Sequence, residues 1–189
     1  MVMDIMRRLH FRKYKKSKII LLMLVYLFNF SSCTFLENSA EMLFNNDEYM
    51  VKKYVKKMVD AIQFEDKDAF SDLFSTTVIE DSDEFQNKVD ELFSFIQGET
   101  ISFGSTPGVA SDGDYEYGKK RTVVYASYWL ETEMHKYYVA IKVCTIDTFC
   151  RSNVGINSIY IISADEWKED YEYGGDGNWT SGINIEGSE

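Results

Sequence analysis

The apolar residues of this chain keep one period up to about residue 97 and another from about residue 120. That single change restricts the fold more than any other feature. Met50, Val51, Tyr54, Val55, Met58, Val59 and Ile62 recur at helical spacing and define an amphipathic helix. Asn46 suits its N-cap, and Asp47 and Glu48 suit its positive first turn. Lys52, Lys53, Lys56 and Lys57 fall on the opposite face and read as solvated. A second helix is expected over Asp66–Ser75, turning Ala69, Phe70, Leu73 and Phe74 inward. A third is expected over Ser82–Gln97, with Phe85, Val89, Leu92, Phe93 and Ile96 on one side, Ser82 as cap and Gly98 as stop. Asp66 and Asp72 read as capping or solvated groups.

The second period is that of strands. Lys120–Leu130, His135–Ile146 and Val154–Ser163 are rich in β-branched and aromatic residues and fit an antiparallel meander. Thr100–Gly104 is a short strand before it. Ser105–Gly118, which carries the single proline, Pro107, reads as a loop. Residues 164–189 form an acidic, Gly-rich tail, expected to be mobile with Trp167 docked. The class is therefore α+β: N-terminal helices packed on a curved antiparallel sheet, as one domain over residues 47–163.

The strand over Lys120–Leu130 has two partly apolar faces. Val124, Ala126, Tyr128 and Leu130 share one; Val123, Tyr125, Ser127 and Trp129 share the other. A sheet with one solvated face alternates cleanly. The surplus marks Tyr125 and Trp129 as an interaction face, covered by a partner chain, by the tail or by a ligand. A homodimer through this sheet face is the first expectation.

The head of the chain supplies an address. Arg7, Arg8, Arg12, Lys13, Lys15, Lys16 and Lys18 precede an apolar run, Ile19 to Phe30, that ends in Ser31-Ser32-Cys33. As a helix the run is roughly 18 Å long, too short for a hydrocarbon core of about 30 Å. Basic head, short apolar run and small residues read as a signal peptide over residues 1–32. Phe-Ser-Ser-Cys resembles a lipobox, with Phe30 where Leu is usual. Cys33 is then the lipidation site, residues 33–46 are a lipidated tether, and the lipid bilayer is a partner through acylated Cys33. The alternative is an uncleaved signal anchor. Both put the domain at the cell membrane, facing outside the cytoplasm. More than one acyl chain gives stable anchoring, so no other membrane contact is required.

Without residues 1–32 the chain keeps 13 basic against 30 acidic side chains, a formal charge of −17. Such a surface repels nucleic acid and anionic lipid headgroups. Two cysteines remain, Cys144 and Cys150, flanking an expected turn. In an exported protein such a pair invites a disulfide.

Motifs of known chemistry are missing. There is no HExxH, CxxC, Gly-x-Ser-x-Gly or P-loop. His135 lies beside a turn and reads as a surface residue. No catalytic residue, metal ligand set or cofactor is assigned. Asp114–Gly118 and Asp170–Gly174 share the pentapeptide Asp-Tyr-Glu-Tyr-Gly. Acidic oxygens at Asp170, Glu172 and Asp176 attract calcium in principle, but their spacing is not that of an EF-hand. Tyr171, Tyr173 and Trp179 suit stacking on sugar rings. Asn178-Trp179-Thr180 matches a glycosylation sequon that bacterial lipoproteins do not normally use.

Ala61-Ile62, Asp66, Leu73-Phe74-Ser75, Gly98 after an apolar helix, and Asn153-Val154-Gly155-Ile156 at a strand start together carry a resemblance. Over about residues 47–163 the chain resembles a family of uncharacterised lipoproteins, mostly from low-GC Gram-positive bacteria. The resemblance implies a nuclear-transport-factor-2-like, cystatin-like cone, and it brings no activity. The expected role is a membrane-anchored, non-catalytic binding or interaction module. The alternative is a small-pocket enzyme of the same cone fold.

Overall fold

The computed structural model describes residues 46–105, 109–168 and 177–186. The segments expected as signal peptide and tether, Cys33, the second pentapeptide and Asp176 lie outside the described residues. Helix α1 spans Asn46–Gln63; of the stripe its periodicity marks, Val51, Val55, Met58 and Val59 are buried and Met50, Tyr54 and Ile62 half-buried, and Ala61 is buried beside them. It closes in a Schellman turn. Glu65 takes a left-handed φ of 54°, its N–H reaches the Ile62 carbonyl at 3.1 Å, and the Asp66 N–H reaches that of Ala61 at 2.9 Å. Asp66 then caps α2 (Lys67–Ser71), accepting from the Ala69 N–H at 2.9 Å.

The helix expected up to Ser75 stops at Ser71. The chain turns instead, and α3 (Thr76–Glu80) begins after Ser75, whose Oγ accepts from the Val78 N–H. The cause is tertiary. Phe74 forms a parallel bridge with Ile156: Ser75 N–H donates to the Ile156 carbonyl at 3.0 Å, and Ile156 N–H to that of Leu73 at 2.8 Å. Helix α4 (Phe85–Phe95) starts three residues later than expected, with Glu84 rather than Ser82 at its N-cap position and no side-chain cap. Gly98, at φ 84°, turns the chain after it.

Six strands complete the fold: β1 (Thr100–Ser105), β2 (Ala110–Glu116), β3 (Lys119–Thr132), β4 (Lys136–Asp147), β5 (Gly155–Ser163) and β6 (Gly182–Glu186). They form one curved, unclosed sheet in the order β1-β3-β4-β5-β6, with β2 on the same edge of β3 as β1. β3, β4 and β5 are the antiparallel meander. Two strands come from segments that read as loop and tail. β2 pairs with β3 through a two-residue turn, Tyr117-Gly118, both at positive φ. β6 pairs in parallel with β5, so residues 182–186 belong to the sheet.

The concave face of the sheet meets the helices. Val124, Leu130, Val139, Ile141, Ile159 and Ile161 pack with Val51, Val55, Phe70, Val89 and Leu92, all at most 2% exposed. Phe70, Phe74, Phe85 and Phe93 contact one another at ring-centroid distances of 5.0–5.5 Å. The Tyr137 hydroxyl ties α4 to the sheet, accepting from the Gln97 N–H at 3.0 Å and donating to the Phe95 carbonyl at 3.1 Å. Where the end of α1, α4 and β1 meet, the packing leaves a cavity of about 520 Å³, lined by Ile62, Gln63, Lys67, Phe93, Ile96 and Thr100 among others.

Candidate interaction face

The outer face of the sheet carries a second apolar cluster. Register places Tyr125, Lys142 and Ser158 on one rung, Ser127, Ala140 and Tyr160 on the next, and Trp129, Tyr138 and Ile162 on a third. Small residues thus sit at the middle of the β3–β4 pair, with aromatics on both sides. Trp129 lies 5.3 Å from Tyr138 and 5.3 Å from Trp167, both at steep edge-to-face angles. Tyr125 lies 5.1 Å from Trp179, which also meets Tyr160 at 6.4 Å. Such geometries add about 0.5–1.5 kcal/mol per pair beyond area burial. Two lysines top the cluster. Lys136 Nζ is 4.9 Å from the Trp129 ring centroid and Lys142 Nζ is 5.8 Å from that of Tyr125.

The two tryptophans are delivered by the chain beyond β5. A turn puts the Trp167 N–H on the Ser163 carbonyl at 3.0 Å, which swings the ring back over β3 and β4. Its indole Nε1 is buried without a hydrogen-bond partner. Trp179 takes a left-handed φ of 52°, uncommon for a bulky residue. The next residue is fixed on both sides: Thr180 N–H donates to the Tyr160 hydroxyl at 3.1 Å, and Ser158 Oγ donates to the Thr180 carbonyl at 2.7 Å. The sequence marked Tyr125 and Trp129, and both lie here, half-buried. It missed Lys136, Lys142 and the clamping of Trp179. The alternation of Lys136, Tyr138, Ala140 and Lys142 along β4 was the signal for the lysines. The surplus apolar surface is thus covered in part by the chain's own tryptophans.

Environment shifts the ionisable groups modestly. Burial, helped by Asp112 and opposed by Arg121, pushes the Tyr125 hydroxyl up, and burial with Arg121 nearby pushes the Lys142 ammonium down. On the concave side, burial and then Glu48 push Tyr128 up to about 12. Both tyrosine shifts lead away from neutrality.

The other residues of interest fall elsewhere. His135 is exposed and borders a shallow surface cavity of about 400 Å³ with Glu91, Gln97 and Tyr137. Cys144 is buried on β4 with Sγ 3.5 Å from the Ile146 carbonyl, whereas Cys150 is exposed beside Ser152. Both are free thiols in this structure. Burial and then Asp147 push the Cys144 thiol up, away from the thiolate. Asp147 organises the β4–β5 connection. Its carboxylate accepts from the N–H groups of Phe149 and Cys150, both at 2.8 Å, and from Asn153 Nδ2 at 3.0 Å. Burial by itself pushes the carboxyl up, but these bonds and Arg121 outweigh it and hold the group below its usual range. Among the described residues no three His, Cys, Asp or Glu side chains gather as a metal site. Among them, too, no helix is long and apolar enough to cross a membrane.

A model of a domain of unknown function, DUF5104, matches residues 57–164. The chain belongs to this family. No curated protein matches it. The DUF5104 match runs from the second half of α1 through β5, so Trp167, Trp179 and β6 lie beyond it. All five short motifs that carry the resemblance lie inside it, and four of them are structural joints. Ala61 and Asp66 close α1, and Leu73-Phe74-Ser75 docks on Gly155-Ile156.

Proposed function

We propose that this member of the DUF5104 family is a lipoprotein, held at the outer side of the cell membrane by acylated Cys33. Its domain acts as a non-catalytic binding module of cone-like, cystatin-like type. One observation carries the reading: the concave face, where an enzyme of such a fold needs a pocket, is packed with Phe, Val, Ile and Leu side chains. The aromatic surface is on the other side, where it faces outward. Pockets that bind small molecules are concave and hold a few convergent polar groups. The cavity beside His135 is instead shallow and open at the surface, and His135 itself is exposed.

The binding surface in this reading is the outer sheet face, with Trp129 and Tyr125 as anchors and Trp167 and Trp179 as its rim. Aromatic anchors commonly supply hot spots of about 2 kcal/mol or more. Tyr125→Ala with Trp129→Glu should stay folded yet lose self-association or capture of a membrane partner. His135→Ala should change neither. Size measurement reads the homodimer and pull-down from solubilised membranes reads the partner. Loss of phenotype in His135→Ala alone would favour the enzyme. The anchor has its own test: Cys33→Ser should abolish labelling by a fatty-acid analogue and leave an uncleaved precursor.

A further inference from the structure

The mature chain is strongly acidic, but its first helix shows water four lysines against two exposed acids, Glu48 and Asp60. In α1, Tyr49, Lys53, Lys56 and Asp60 follow one another along the outward ridge, flanked by Lys52 and Lys57, and Phe64 stands just past the helix end. All four lysines are exposed, and among the described residues none has a carboxylate within ion-pair distance, whereas Lys67 and Lys88 each do. Asp60 is the one acid on the ridge. Two aromatic rings close the stripe at its ends, Tyr49 at 48% exposure and Phe64 at 76%. They stand 15 residues apart, about 22 Å along the helix. Lysines between exposed aromatics, with the apolar face already buried in the domain, suit a surface of anionic headgroups rather than a protein groove.

Chain length brings that surface within reach. Twelve residues, Thr34 to Asn45, separate Cys33 from α1, at most about 45 Å when fully extended. In sequence the tether is joined to the N-terminal end of α1, so α1 is the part of the domain nearest the anchor along the chain. We infer that α1 docks through Lys52, Lys53, Lys56, Lys57 and Phe64 on the anionic phospholipid surface, turning the domain onto one side. The inference rests on the lipid-anchored reading for its biological setting, but its chemistry does not need the acyl chains.

The test uses a chain that starts at residue 34, without signal peptide or Cys33. The hydrophobic core is drawn from residues 51–183, so this piece keeps all of it. Co-sedimentation with vesicles of phosphatidylcholine containing about 30% phosphatidylglycerol is compared with phosphatidylcholine alone, at low salt. The expected partition is at least about tenfold higher on the anionic vesicles and is abolished by about 0.5 M salt. Exchanging all four lysines for Gln should remove the preference while leaving the circular dichroism unchanged, and Phe64→Ala should lower it severalfold. Equal partition on both vesicles, or undiminished binding by the four-Gln variant, would overturn the inference. The outcome is independent of fatty-acid labelling at Cys33. A labelled Cys33 with no vesicle preference leaves the anchor standing and removes the docking, and the converse result does the opposite.

Discussion

Gly155 sits where the helical half of the chain touches the sheet, at a φ of 133°. A Cβ there would lie 2.6 Å from the Ser75 nitrogen and 2.8 Å from the Phe74 carbonyl carbon, both backbone. Nothing flexible can yield, so Gly155→Ala must part the Phe74–Ile156 bridge. A loss of about 2–3 kcal/mol in denaturant unfolding is expected; a loss below about 0.5 kcal/mol would mean the joint is not structural. Asp147 acts at the neighbouring turn, and its effect has a pH signature. Its folded pKa lies below the unfolded value, so its stabilisation is present above the unfolded carboxylate range and is lost as pH falls through the folded pKa. Parent stability should therefore drop below about pH 4. Asp147→Asn should be less stable at neutral pH and should lack that part of the acid dependence, as pH-series melts would show. The cysteines give a third test at this scale. With Cys144 buried and Cys150 exposed, an alkylating reagent should modify only Cys150 of this pair in folded, unreduced protein, and Cys144 only after unfolding. Two protected thiols released by reductant would establish the disulfide their spacing invites.

At the scale of elements, α1 gives the sharpest contrast between its two faces. Val59 is buried against the sheet core, three residues from the exposed Lys56. Val59→Asp places an unpaired carboxylate in that core and should cost several kcal/mol, out of a total stability of about 5–15 kcal/mol. Lys56→Asp should shift stability by about 0.5 kcal/mol or less. Comparable melting temperatures for the two would mean the helix faces the other way. This facing was legible because burial on one side imposes the period directly on the sequence. The long strands of the meander were legible for the same reason, and the set Val124, Ala126, Tyr128 and Leu130 is the one in the main core. Elements fixed by distant partners were not. β2 is exposed along its whole length, so no apolar pattern marks it, and only its hydrogen bonds to β3 make it a strand. β6 is five residues in a Gly-rich stretch, made a strand by parallel pairing with β5 across an intervening segment. The break before α3 answers to Ile156, about eighty residues away, which no local window contains.

For the whole molecule, the sheet is a partition between two apolar layers. The concave layer joins every helix to the sheet and sets stability; the outer layer joins three strands to two tryptophans that come after them. The candidate site was half legible for this reason. Tyr125 and Trp129 showed through the alternation of β3, but what covers them depends on how the chain returns after Ser163. If the layers are separate, damage in one should not be felt in the other. Phe70→Leu loosens the concave layer, while Trp167→Ala strips Trp129 and Tyr138 of their cover and loses about 1–3 kcal/mol. Side chains on opposite faces of a sheet share no partner, and changes that share none add to within about 0.5 kcal/mol. The double variant should therefore lose the sum of the two single losses in denaturant unfolding, with an unchanged slope against denaturant. Additivity would leave the outer layer free to change its aromatics for a partner without touching the core that holds the fold. A coupling above about 1 kcal/mol would instead tie the outer face to the core through the small residues Ser127 and Ala140.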